Sequence, residues 1–307
     1  MEINQDIQEI PAMSPDPRIR VFRRILHGLE GFEGMEVDVY VVLGERYVVL
    51  LDTLLCPADM AALMQVIGPE LGNRQLLCVN SHADWDHVWG NSYFSGERSV
   101  PILAHEHCSQ RMNSEAARQK LADLQARAPV FRDVQLVPPS LTFNEQMTIH
   151  AGGLTIELLH APGHCPDQIV AWLPELRLLL AFDAVEMPLP CLKNAAGVPL
   201  MFATLQRLIA LNAQRVLCSH GNTTSPALIS ENLAYVREIE RRARLLLAHH
   251  TPTEAELEHA AELVGYAFDE VIAPITVEVD RAFYASAHEQ NVRATLQWLS
   301  SPVAHQS

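Results

Sequence analysis

The segment Cys78-Val79-Asn80-Ser81-His82-Ala83-Asp84-Trp85-Asp86-His87-Val88-Trp89-Gly90 constrains this chain more than any other. His82, Asp84, Asp86 and His87 crowd directly behind an apolar run, Leu76 to Val79, that reads as a buried strand. Where a strand breaks into a tight loop, residues at i and i+2 point the same way and those at i+4 and i+5 turn back. One short segment can therefore offer ligands to two neighbouring ions. Mixed imidazole and carboxylate donors suit zinc, iron or manganese better than calcium or magnesium. The competing reading is a polar loop in which Asp86 caps the following helix. Two His and two Asp in alternation make a poor capping loop, and the metal reading is the stronger.

The rest of the composition narrows the partners. The chain has 307 residues, long enough for one large α/β domain with a helical extension or for two smaller domains, and its 49% hydrophobic content is that of a soluble globule. A formal charge of −15, with Lys120 and Lys193 as its lysines, argues against nucleic acid, because binding a phosphate backbone rests on Lys and Arg. Cys56, Cys78, Cys108, Cys165, Cys191 and Cys218 are scattered, with no C-x-x-C pair, and read as mostly buried thiols in a reducing compartment. Met1 to Asp6 lacks the basic and apolar regions of a signal peptide, and no apolar run reaches membrane-spanning length. The expectation is a cytoplasmic protein with a small-molecule substrate and neither membrane nor nucleic-acid partner.

Short β-type runs open the chain: Ile19 to Phe22, Val37 to Leu43 and Tyr47 to Leu51, the last two joined as a hairpin by Gly44-Glu45-Arg46. The third ends in Asp52-Thr53, where the acid is either a helix cap or a support for the metal ligands. Ala58 to Ile67 reads as a helix, Gln75 to Val79 as the strand delivering the histidine cluster, and Pro101 to Ala104 as a strand ending at His105-Glu106-His107, a trio assigned to the surface or a pocket rim. Ser114 to Ala128 reads as a charged helix. A second set of strands follows: Met147 to His150, Leu154 to Leu159, Ile169 to Leu173, Leu178 to Ala181 and Arg215 to Cys218. Three of their ends carry metal-competent side chains, in Pro162-Gly163-His164, Phe182-Asp183 and Ser219-His220-Gly221. From Ser225 the pattern is helical, with further helices opening at the Thr253-to-Glu256 capping box and over Asp280 to Leu299. These helices suit either a substrate-facing cap or a homodimer surface.

The ordered series His-x-Asp-x-Asp-His, Pro-Gly-His, strand-terminal Asp and strand-terminal Ser-His-Gly, with Asp52-Thr53 upstream, resembles the metallo-β-lactamase superfamily over roughly residues 35 to 225. The resemblance implies an αββα four-layer sandwich over residues 1–224 and a helical extension over 225–307. It implies one ion held by His82, Asp84 and His164, a second held by Asp86, His87 and His220, Asp183 bridging both, and Asp52 buttressing the ligand loop. The ions implied are two divalent metals, zinc first, with iron or manganese as alternatives. Two departures stand out: Asp84 replaces the usual histidine, and Phe182 stands where a glycine usually precedes the bridging acid. Three carboxylates against two divalent ions should weaken Lewis acidity at the site and loosen the first ion.

Two such ions can lower the pKa of a shared water toward about 7, so the expected chemistry is hydrolysis of a small ester, thioester, lactone or lactam by metal-bound hydroxide, with Asp86 orienting it and moving its proton. Lys193, ten residues after Asp183, is a weak candidate for contacting substrate. The alternative is iron-dependent redox chemistry on the same fold, of the persulfide dioxygenase or flavodiiron kind.

Overall fold

The computed structural model describes residues 7–29, 31–276 and 279–301, so the Met1-to-Asp6 stretch read for targeting signals lies outside them. Valine and leucine runs dictate the first sheet. Its strands are β1 (Ile7–Glu9), β2 (Ile19–Ile25), β3 (Glu36–Leu43), β4 (Tyr47–Leu51), β5 (Gln75–Val79), β6 (Ile102–His105) and β7 (Leu141–Phe143), hydrogen-bonded in chain order. Strands β1 to β4 pair antiparallel and β4 to β7 parallel. Parallel neighbours need a crossover, and helix α1 (Pro57–Leu71) makes the one from β4 to β5. It opens with Pro57 in its first turn and buries Met60, Leu63 and Ile67 in the core of this sheet. Val48 to Leu51 are fully buried, as a strand interior to a covered sheet must be.

The short helix α2 (Trp85–Val88) follows β5. Beyond β6 come α3 (Glu106–Met112) and α4 (Glu115–Arg127), and Ser114 caps the latter by accepting from the Ala117 N–H. The second sheet contains an antiparallel meander, β8 (Gln146–His150), β9 (Thr155–His160), β10 (Ile169–Leu173) and β11 (Leu178–Leu180). The chain to His160, with Asp167–Leu180, forms one compact unit.

Ala161–Pro166 and the residues from Ala181 onward form the other unit. It carries α5 (Gly197–Ala210), β12 (Arg215–Leu217), α6 (Ala227–Leu247), α7 (Ala260–Leu263), α8 (Phe268–Ile272) and α9 (Arg281–Ser300). Asp280 caps α9 through the Ala282 and Phe283 N–H groups. The Thr253 and Glu256 box forms reciprocally but opens only a 3-10 turn and the short α7. Several elements leave no clear mark in the sequence pattern, the short helices α2, α3 and α8 among them. Strands β1 and β7 are three-residue edge strands, too short for an alternation signal. Helix α5 begins at Gly197 with Pro199 in its first turn, so two residues that punctuate loops mask a helix whose Val198, Met201, Leu205 and Leu208 are buried at helical spacing. Among the described residues no helix is long and apolar enough to cross a membrane.

Candidate metal centre

Strand β5 lies between β4 and β6, so its carboxyl end opens where parallel sheets build sites. Asn80 through His87 leave from that end, and Asp52 from the matching end of β4. Cys56, rather than Asp52, occupies the N-cap position of α1, without a side-chain capping hydrogen bond. Asp52 is fully buried, and its Oδ1 accepts from the Ser81 N–H at 2.6 Å while Oδ2 accepts from the Ser81 hydroxyl at 2.7 Å and lies 2.9 Å from His87 Nδ1. The Ser81 hydroxyl gives its one proton to Asp52, so His82 Nδ1, 2.9 Å from it, donates to Ser81 Oγ. Both imidazoles thus keep their protons on Nδ1 and offer the Nε2 lone pair outward. Asp52 itself has φ +66°, a left-handed turn that side chains rarely adopt and that an over-determined environment must hold. Thr53, Asn80 and Asn91 supply it: Thr53 Oγ1 donates to Asn91, and the two asparagines exchange side-chain hydrogen bonds at 2.9 and 3.1 Å.

The second unit brings together the three downstream candidates. His164 follows Gly163, where a Cβ would come within 2.7 Å of the Met201 backbone in α5. The loop must lie flat on that helix, which also ties Pro162 through the Thr204 hydroxyl at 2.7 Å. His164 Nδ1 donates to the Cys191 carbonyl at 2.9 Å. Asp183 sits in the 3-10 turn after Ala181, whose N–H bonds to Leu217 of β12, and His220 ends that same strand's loop. Gly221 then passes so close to Met187 that a Cβ would sit 2.9 Å from its side chain. Phe182 has φ +50°, which explains why a glycine is the usual occupant of this position; here a fully buried ring is kept at the cost of strain.

Helices α6 and α9 brace the segment that follows Asp183. Asn232 of α6 pairs with both backbone groups of Glu186, while Tyr284 of α9 donates to Glu186 Oε1 and Asn291 of α9 clamps Pro190 and Leu192. Burial pushes the Glu186 carboxyl above its ordinary range.

The donor set fits a metal. His82 Nε2 lies 3.4 Å from Asp84 Oδ2, and His87 Nε2 3.4 Å from Asp86 Oδ2. In the second unit, His164 Nε2 lies 3.6 Å and His220 Nε2 3.3 Å from the same oxygen, Oδ2 of Asp183. These spacings exceed a hydrogen bond. They match the roughly 3.4 Å edge between two ligands that each sit about 2.1 Å from a tetrahedral ion. His82 and His87 also bring ligand nitrogens within 4.8 Å of one another.

Several neighbours were not read from the sequence. Arg111, in the last turn of α3, donates to Asp84 Oδ1 at 2.7 Å and pairs with Asp167, whose other oxygen accepts from the Ala83 N–H at 2.7 Å. The buried thiol of Cys165 adjoins His164, its sulfur within 4.8 Å of the imidazole's ligand nitrogen. His105 departs from its expected rim position, because the strand end turns it inward: it is buried, stacks on His160 at 4.0 Å and accepts the His107 N–H. Burial, then His160 and His107, push its imidazole down to about 4. Glu106 and His107, the other members of the trio, are exposed. Lys193 is exposed, and its carbonyl accepts from Gln290. All six cysteines are free thiols.

Histidine and carboxylate sets at strand ends of a two-sheet α/β protein define a candidate metalloenzyme. The family model of the metallo-beta-lactamase superfamily matches residues 33–220, and the chain belongs to that superfamily. A metallo-beta-lactamase family protein from Thermus thermophilus superposes with a TM-score of 0.66 at 20% identity, covering 93% of this chain and 94% of that one. A metallo-beta-lactamase from Pontibacter korlensis gives 0.56 at 21% identity over 74% and 97%. Both show the fold, which is the expected α/β arrangement of metallo-β-lactamase type with two sheets and a C-terminal helix. The chain is also similar to a linear primary-alkylsulfatase from Pseudomonas sp. (strain ATCC 19151), 30% identical over 95 residues, or 29% of this chain and 18% of that enzyme. It therefore matches under a fifth of that relative's length. Superfamily membership implies divalent metal binding and points to a metal-dependent hydrolase.

Proposed function

We propose that the protein hydrolyses a small ester, thioester, lactone or lactam with two divalent ions, zinc in the first instance. The observation that carries this reading is the repeated 3.3–3.6 Å spacing of imidazole nitrogen and carboxylate oxygen. In it His82, Asp84 and His164 hold one ion, Asp86, His87 and His220 the other, and Asp183 both. The ions, when bound, supply Lewis acidity and a nucleophile at neutral pH.

The chain's own residues do the rest. Asp52, Ser81 and the Cys191 carbonyl fix the tautomers of His87, His82 and His164, so that each offers Nε2 without rearranging. Asp86, only 6% exposed, orients the attacking water and moves its proton. The segment from Val185 to Leu192, braced by α6 and α9, walls the substrate pocket, and Lys193 meets an anionic substrate group at its rim. The similarity to an alkylsulfatase adds sulfate esters to the substrates worth testing.

The test is a panel of small esters, thioesters, lactones, lactams and primary alkyl sulfates, assayed with and without a chelator. Chelator-sensitive, oxygen-independent turnover of one class supports the reading. Oxygen-dependent turnover by an iron-loaded form, without hydrolysis of any panel member, replaces it with the redox alternative.

A further inference from the structure

Asp84 puts a charged ligand where a neutral imidazole is usual, and charge counting alone makes an ion there a weaker Lewis acid than one beside a histidine. The structure holds a counterweight. Arg111 donates its guanidinium to Asp84 Oδ1 at 2.7 Å, leaving Oδ2 as the oxygen set 3.4 Å from His82 Nε2. The guanidinium does not float: it is paired on its other arm with Asp167, whose side chain is fully buried and which also accepts from the Ala83 N–H at 2.7 Å, one residue before Asp84. Ile169, two residues beyond Asp167, bonds through its N–H to the Ser81 carbonyl at 2.9 Å. Three anchors therefore set Arg111, Asp167 and the ligand loop in one register.

We propose that Arg111 is a positioning residue that makes Asp84 a one-oxygen metal donor and draws off part of its charge, so that Asp84 meets the first ion as a weaker anion than a free carboxylate. This rests on the two-ion reading above. Asp84, Arg111 and Asp167 together carry one negative charge, so the guanidinium does not erase the Asp84 charge but draws part of it away from the ion and returns part of the Lewis acidity expected to be lost. Asp167 sets how much of the guanidinium charge reaches Asp84, because the two carboxylates share it.

The geometry makes a prediction of opposite signs. Replacing the guanidinium by a neutral amide should tighten cobalt at the first position by about tenfold or more, since the Arg111 cation, rather than the carboxylate, is what opposes the ion there. Replacing Asp167 by asparagine should weaken cobalt there by about threefold or more, since Arg111 then gives Asp84 its whole charge. The experiment is competition of cobalt against a chromophoric chelator for the full-length wild type, Arg111→Gln, Arg111→Lys and Asp167→Asn, with far-UV circular dichroism to confirm folding. Tightening in Arg111→Gln, weakening in Asp167→Asn and near-parental affinity in Arg111→Lys support the proposal. Weakening in both Arg111→Gln and Asp167→Asn marks a merely architectural clamp and overturns it, as does the absence of any change. Should Arg111→Gln not fold, the pair Arg111→Lys and Asp167→Asn decides: unchanged affinity in Asp167→Asn rejects the charge offset. A wild type that takes up no cobalt rejects the two-ion reading itself, an outcome distinct from cobalt uptake that is indifferent to Arg111.

Discussion

The two sets of candidate ligands are built in opposite ways. His82, Asp84, Asp86 and His87 come from one loop, and a single buried carboxylate, Asp52, reaches both Ser81 and His87 and so fixes the loop from beneath. His164, Asp183 and His220 come from three separate loops, and what aligns them is packing: Gly163 flat on α5, Phe182 in a strained turn, and Gly221 against Met187. The first set is local and fixed by one hydrogen-bonded carboxylate, and the second is assembled from distant chain, where close packing adds to scattered hydrogen bonds such as that from His164 to the Cys191 carbonyl. A polar clamp and a packed scaffold fail differently. Loss of one hydrogen-bonding atom should impair the first set without unfolding it, whereas a change in the packing behind the second should register in stability as well as in activity.

The sharpest way to break this comparison is at Asp183, whose Oδ2 serves both His164 and His220. Asp183→Asn should lower kcat by about a thousandfold or more while the protein stays folded, since several kcal/mol of charge stabilisation depend on that carboxylate. Activity within tenfold of wild type would remove Asp183 from the site. Phe182→Gly pits two effects against one another. Relief of the positive φ is worth about 1–2 kcal/mol, and loss of a fully buried ring costs about 3–5 kcal/mol. Packing wins, so denaturant unfolding should show a net loss of ~2–3 kcal/mol; a stabilised variant would mean that the strain outweighs the ring. Asp52→Asn should weaken metal affinity by about 10–100-fold, with a smaller effect on stability than Phe182→Gly. Metal competition and a thermal melt on the same sample check that contrast.

The smallest expected effect concerns His105. Its imidazole is held down to about 4 in the fold, against an ordinary value of 6.5. As pH falls, the unfolded chain takes up the proton first, so this group's effect on stability is absent above about pH 6.5. Stability then declines between about pH 6.5 and pH 4 and levels off below. Stability curves of wild type and His105→Phe should diverge in slope within that window, and parallel curves would count against the assignment.

The contrast between the sets also governs what was legible in the sequence. A motif within six residues behind a valine-rich strand is visible because spacing alone constrains its geometry, and the hairpin at Gly44-Glu45-Arg46 and the strands Tyr47–Leu51, Gln75–Val79 and Ile169–Leu173 follow from the same local rules. The downstream histidines carried meaning only through their order along the chain. What escaped was whatever depends on tertiary contact. Arg111 is one charge among many in the sequence until α3 places it beside Asp84. Helix α5 hid behind Gly197 and Pro199, although Gly163 lies against it. His105 resembled a surface or rim residue because no partner spacing marked the trio, while in the fold it is buried and stacks on His160 from another sheet. The Asp52 alternatives of helix cap and ligand support could be separated only by seeing which N–H groups its carboxylate accepts.

Elemental analysis of protein purified without added metal tests the central claim most directly. The account predicts about two divalent ions per chain in the wild type, and fewer in Asp183→Asn treated in the same way. A wild type that carries no metal, and takes up none when zinc, manganese or iron is supplied, would contradict it.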